Sequence, residues 1–155
     1  MTTPPALDPE TVHARVGSSY PEPFRSLVGE RRKRALGDAL GLTIYGVNLV
    51  DLPPGALSSM RHWHSKQDEF IYVLEGELTL ITDAGEQVLR AGMVAGFPAG
   101  ANDGHHLINR SDTPARYLEV GDRTLDDATV YPDVDLDLPV DIENGFLHKD
   151  GTPYS

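Results

Sequence analysis

Four of the six histidines fall in two pairs, His62-Trp63-His64 and His105-His106. Side chains two apart on a strand leave the same face, so His62 and His64 present two imidazoles side by side while Arg61 and Trp63 face the other way. Two ring nitrogens so placed can chelate one ion. Glu69 follows the polar connection Ser65-Lys66-Gln67-Asp68, which can reverse the chain and return a carboxylate to the imidazoles. A fourth ligand would come from His105 or His106, distant in sequence and placed only by the fold. The chain has no cysteine, which excludes a disulfide scaffold, a thiolate metal site, a cysteine nucleophile and iron–sulfur ligation. Nitrogen and oxygen donors remain. Asp133, Asp135 and Asp137 have the spacing of a calcium loop, but Leu138 stands where that loop needs Gly and Asn144 where it needs Glu, so an EF-hand is excluded.

The elements that would carry these residues are short and numerous. Strand-like runs cover Leu42 to Asp51, Ser58 to His64, Phe70 to Leu74, Glu77 to Ile81, Gln87 to Arg90, Met93 to Phe97, His105 to Asn109 and Ala115 to Gly121. Turn residues stand between them: Pro53-Pro54-Gly55, Glu75-Gly76, Asp83-Ala84-Gly85, Ala91-Gly92, Pro98-Ala99-Gly100 and Ser111-Asp112-Thr113-Pro114. That pattern describes an all-β antiparallel sandwich or barrel. Helix is confined to Phe24 to Val28 and to Arg32 to Leu40, the second weakened by Gly37. With 155 residues, one domain with a usable core is expected.

Five of the 12 prolines lie in the first 23 residues, so residues 1–30 are expected to form an irregular N-terminal arm, followed by a barrel over 31–125. Residues 126–155 form an acidic C-terminal arm, expected to pack on the barrel or on a partner subunit. In it Val134, Leu136, Leu138, Val140 and Ile142 alternate with acidic residues and Pro139, the period of a strand with one apolar face. Pro139 restricts such a strand to an edge.

A formal net charge of -11 repels phosphate backbones, so no nucleic-acid partner is expected. The basic run Arg31-Arg32-Lys33-Arg34 is expected to be a solvated loop that pairs with the chain's own carboxylates. No apolar run is long enough to span a bilayer and no leader is readable, so a cytoplasmic protein without membrane contact is expected.

A His-x-His pair alone is a weak signal; the spacing around it narrows the reading. Gly55, six residues, His62-x-His64, four residues, Glu69, six residues and Gly76 precede Gly92, five residues, Pro98-x-Gly100, four residues, His105, three residues and Asn109. This order resembles the two motifs of the cupin superfamily over roughly residues 42 to 121. There are two departures: the first gap is one residue longer, and two extra residues lie between Gly100 and His105. Counting back from Asn109 by the family's three-residue gap selects His105, whereas a register shift by one would turn His106 inward. More broadly, Arg31 to Gly55, Gly104 to Asp112 and His148 to Tyr154 resemble a group of small bacterial single-domain cupins.

The resemblance implies a double-stranded β-helix, a jelly-roll-like barrel with a metal held on its inner wall by His62, His64, Glu69 and His105. That donor set suits iron(II), manganese, nickel, zinc or copper rather than calcium. The expected protein is a metal-dependent enzyme of isomerase, lyase or oxygenase type acting on a small oxygen-rich molecule, a sugar derivative or organic acid. The alternative is a non-catalytic metal-dependent module that binds or senses a sugar or small acid. No general acid or base is assigned; the unused member of the His105/His106 pair, Tyr45, Tyr72 and Tyr117 are candidates. By parity, Trp63 should pack away from the metal. Pairing through sheet edges, common in the family, predicts a homodimer.

Overall fold

A computed structural model describes residues 4–141 and 145–155. The described elements are β1 (Ala14–Val16), α1 (Phe24–Val28), β2 (Arg32–Ala35), α2 (Leu36–Ala39), β3 (Tyr45–Leu52), β4 (Trp63–His64), β5 (Glu69–Glu75), β6 (Glu77–Thr82), β7 (Gly85–Arg90), β8 (Val94–Phe97), β9 (His106–Ile108), β10 (Ala115–Asp122), β11 (Thr129–Val130) and β12 (Asp137–Leu138). A six-stranded antiparallel sheet runs β1-β2-β3-β10-β5-β8 and faces a three-stranded sheet β7-β6-β9. A short third sheet, β12-β11-β4, closes one end. The architecture is the all-β double-stranded β-helix.

Alternation along the strands decides what lies between the sheets. On β5, Ile71 and Val73 point inward and are buried, whereas Phe70, Tyr72 and Leu74 point out and are exposed. Val50, Leu52, Leu78, Leu80, Leu89, Leu107 and Tyr117 complete the inner cluster. Two motif positions serve this frame and not the chemistry. Asn109, fully buried, donates from Nδ2 to the carbonyls of Leu52 and Thr113, and its Oδ1 accepts from the backbone and hydroxyl of Ser111. It therefore satisfies the turn before β10 from inside, where an apolar residue would leave carbonyls unpaired. Gly76, between β5 and β6, has φ +77°, and a Cβ there would stand 2.7 Å from the carbonyl oxygen of Pro114.

Several expected elements differ. Of the strand expected over Ser58 to His64, only Trp63–His64 pairs in a ladder, because Ser58 and His62 make isolated contacts with the chain at Leu107 and His105 instead. The helix expected over Arg32 to Leu40 begins at Leu36. Its first half is β2, which pairs with β3 and puts Arg32, Lys33 and Arg34 of the basic run on a strand, not in a loop. Arg34 meets Asp51 at 2.8 Å and Lys33 meets Glu119 at 3.0 Å. In the C-terminal stretch the apolar alternation yields only Asp137–Leu138 as strand, and Val140 is half exposed; Ile142, Glu143 and Asn144 lie outside the described residues.

The two terminal stretches meet on this same chain. Tyr20, Phe24, Val28, Met60, Tyr131 and Leu136 form a second apolar cluster, with Phe146 and Tyr154 packed against it. Arg61 clamps its edge: Nε and Nη2 donate to Asp133 at 2.6 and 2.8 Å, and Nη1 donates to the carbonyl of Gly104 at 3.1 Å. The longer loop after Gly100 thereby gains an anchor.

Two stability outcomes follow. Gly76→Ala should lower the unfolding free energy by about 2 kcal/mol or more in urea titration, because left-handed strain and a backbone clash coincide. Arg61→Met should cost about 1–2 kcal/mol near neutral pH. The Arg61 guanidinium holds the Asp133 carboxyl below its usual range, so this contribution is present above the ordinary carboxylate pKa and disappears as pH falls through the depressed value. The difference between Arg61→Met and wild type should accordingly shrink in acid.

Candidate metal centre

Of the four residues singled out by spacing, His62, Glu69 and His105 form one group of possible metal donors, and His64 stands beside the other oxygen of Glu69, outside that group. Glu69 opens β5, and the reversal before it is held by backbone N–H groups of Lys66 and Gln67 donating to Asp127 Oδ1 at 2.8 and 3.2 Å. His64 lies on β4, His62 bridges antiparallel to His105, and Gly100, at φ +70°, donates its N–H to the carbonyl of His64. Glu69 Oε2 stands 2.7 Å from His105 Nε2 and 3.5 Å from His62 Nε2, and Oε1 stands 3.4 Å from His64 Nε2. One donor atom each from His62, Glu69 and His105 lies within 4.8 Å of the others.

The partners behind the imidazoles decide which nitrogen carries hydrogen. His62 Nδ1 lies 2.8 Å from the carbonyl of Met60, so that nitrogen must donate. His64 Nδ1 lies 2.6 Å from Asp127 Oδ2 and donates likewise. In the neutral tautomers set by these contacts, the Nε2 lone pairs of both rings face Glu69. His105 is sandwiched flat against Phe97, ring centroids 3.5 Å apart, and its Nδ1 has no partner. Glu69 Oε2 is buried and, despite its closeness to His105, takes no bond of hydrogen-bonding geometry. Lone pairs aimed at a buried carboxylate repel unless a proton or cation sits among them. This arrangement fits a divalent ion, with Asp127 in the place of the carboxylate that orients a ligating histidine.

Without an ion, protons must do that work. Burial pushes the Glu69 carboxyl up, but the surrounding imidazoles of His105, His62 and His64 outweigh it and hold it well below its ordinary value. Burial pulls His64 down, and Glu69 and Asp127 overcome it to raise the ring to about 9. His105 is lowered, burial outweighing the attraction of Glu69.

His106 turns away from this cluster; its Nδ1 lies 3.0 Å from the carbonyl of Ser59. Trp63 was expected to face away from the site, yet it lines a cavity of about 320 Å³ together with His64, Glu69 and His105. Among the tyrosines, Tyr45 and Tyr72 are exposed, whereas Tyr117 is buried beside His62, Glu69 and His105 with its hydroxyl unpaired. Two neighbours escaped the sequence reading. Asp127 lies 63 residues beyond His64 in a stretch without a motif, and Tyr131, its ring 5.8 Å from that of His62, belongs to the same stretch.

Comparison with known proteins agrees with this fold. The family model for the cupin domain matches residues 48–121. A solved structure described as a sugar phosphate isomerase of the cupin superfamily, from Silicibacter pomeroyi, is 44% identical, covers 97% of each chain and superposes with a TM-score of 0.88. A putative sugar phosphate isomerase from Acidithiobacillus ferrooxidans is 31% identical over 71% of this chain and 70% of its own, with a TM-score of 0.67. A predicted oxalate decarboxylase from Thermotoga maritima is 21% identical, with a TM-score of 0.64 over 77% of this chain and 99% of its own, and shares the fold. No curated protein matches. The chain belongs to the cupin superfamily. Among the described residues no helix is long and apolar enough to cross a membrane.

Asp127→Asn keeps the size of the side chain and removes its charge. It should weaken binding of an added transition metal by about 10- to 100-fold in competition titrations with a chelator, with the fold unchanged by circular dichroism.

Proposed function

We propose that the protein is a metal-dependent enzyme in which His62, His64, Glu69 and His105 hold one divalent ion, iron(II), manganese, nickel or zinc. Its substrate is a small oxygen-rich molecule, a sugar derivative or organic acid. The observation that carries this reading is the set of outer contacts, Met60 carbonyl on His62 and Asp127 on His64, which turns bare nitrogens toward a buried carboxylate. When bound, the ion would act as a Lewis acid toward a substrate oxygen, or toward dioxygen if it is iron.

The chain's own residues supply the rest. Trp63, Leu80, Val94 and Phe97 give the larger cavity apolar walls, and Gln67, Thr82 and Gln87 offer hydrogen bonds to hydroxyl groups. Tyr117 keeps an unpaired hydroxyl beside Glu69, and burial holds its pKa well above the ordinary value. As a neutral phenol it can donate a hydrogen bond toward the site. The two relatives described as sugar phosphate isomerases support isomerisation of a sugar derivative over lyase or oxygenase chemistry. We also propose a cytoplasmic homodimer, in which the exposed outer row Phe70, Tyr72, Leu74 and Val94 is covered by a second copy.

Elemental analysis of tag-free protein, beside a His62→Ala/His64→Ala variant, tests the centre. Wild type should carry about one equivalent of a transition metal and the variant none. Absence of metal from both, even after incubation with iron, manganese, nickel and zinc, would remove it. Sedimentation at micromolar concentration should give a dimer; a sharp monomer would contradict the assembly.

A further inference from the structure

A second cavity, of about 200 Å³, reaches the same centre and shares only Glu69 with the larger one. The two differ in charge. No Lys or Arg lines the larger cavity, whose charged wall residues include Asp103 and Glu69. The second is lined by Arg15, Arg31 and Lys33, by Glu119 and by Ser18, Ser19, Ser58 and Ser59, and His62 also borders it. In a chain of net charge -11, three cations around one small space require a reason.

Arg31 supplies the strongest indication. It is 6% exposed, and its guanidinium donates to two neutral carbonyls, those of Ser58 and Gly17. Its Nε has no partner, and no carboxylate pairs with it among the described residues. A buried charge without a counter-charge is costly. Arg15 stands opposite Lys33 in the β1–β2 ladder, exposed and without an ion pair among the described residues. Lys33 is already matched by Glu119 at 3.0 Å, and Glu69 is engaged by the histidines. Two positive charges are left over, beside four serines. At ~30 Å³ per water, the cavity has room for a tetrahedral oxyanion and some of its hydration.

We propose that this cavity binds the anionic group of the substrate, a phosphate-class dianion, through Arg15, Arg31 and the hydroxyls of Ser18 and Ser19, with the remainder of the molecule directed at His62 and Glu69. Guanidinium forks and hydroxyls suit phosphate oxygens. The N-terminal arm, which supplies Arg15, Ser18 and Ser19, then belongs to the substrate site. The inference rests on the proposed enzyme reading for what the anion is attached to, but anion capture itself needs no metal.

Calorimetric titration of inorganic phosphate into the metal-stripped full chain, repeated with nickel-loaded protein, tests it. Saturable millimolar or tighter binding is expected in both states. Arg15→Gln, which alters an exposed side chain on an edge strand, should weaken it by about tenfold or more. Arg31→Gln should do the same if it folds, and Arg110→Gln, whose guanidinium pairs with Glu86 on the surface, should not. Acetate should bind at least about tenfold more weakly than phosphate. Phosphate binding that appears only with metal, or that is unchanged in Arg15→Gln, would overturn the proposal, and equal affinity for acetate would overturn the dianion assignment. Metal loading that fails while phosphate still binds would count against the metal centre and leave this site standing.

Discussion

The structure is organised around one electrostatic problem, a carboxylate buried at Glu69 with three imidazoles directed at it. Left to itself, a buried carboxylate would be expelled or protonated. Here the surrounding rings, acting as donors, hold it ionised, whereas the neutral tautomers set for His62 and His64 by Met60 and Asp127 would turn acceptors toward it. Cationic charge at the centre is what makes that geometry affordable, whether it comes as protons on the rings or as a metal ion. The outer contacts prepare the cluster for the second.

The rest of the fold keeps these groups in place with little freedom. The six-stranded sheet delivers Glu69 at the start of β5, Gly100 ties its N–H to the carbonyl of His64, and the bridge between His62 and His105 fixes two ligand-bearing segments to each other. Asn109 satisfies the turn that follows β9, so the strand reaching His105 cannot slip without breaking buried hydrogen bonds. The terminal stretches complete the enclosure: Tyr20, Phe24, Tyr131 and Leu136 pack over the His62 side, and Asp127 arrives from the same C-terminal stretch.

Much of this was legible in the residues, and the limits have physical causes. The barrel strands could be read because their alternation and glycine turns are local features, and the choice of His105 over His106 followed from a fixed distance to Asn109. The place of Trp63 on the wall of the larger cavity is not legible from parity, because β4 has only two residues. The acidic alternation after Val134 suggests a long strand, yet Leu136 is buried in a packed cluster, with Val134 and Leu138 partly buried against it, without a continuous ladder. Asp127 and the cationic cavity were beyond reach because each depends on pairs far apart in sequence, such as Arg15 with Lys33 or Arg31 with Ser58, that only the assembled sheet brings together.

X-ray absorption at the metal edge of the loaded protein tests the central claim most directly, since it counts the donors that the outer contacts are said to prepare. The account predicts three imidazole nitrogens and one carboxylate oxygen at about 2.0–2.2 Å, with the oxygen lost or lengthened in Glu69→Gln. Fewer than three imidazoles in wild type, or a spectrum unchanged in Glu69→Gln, would contradict it.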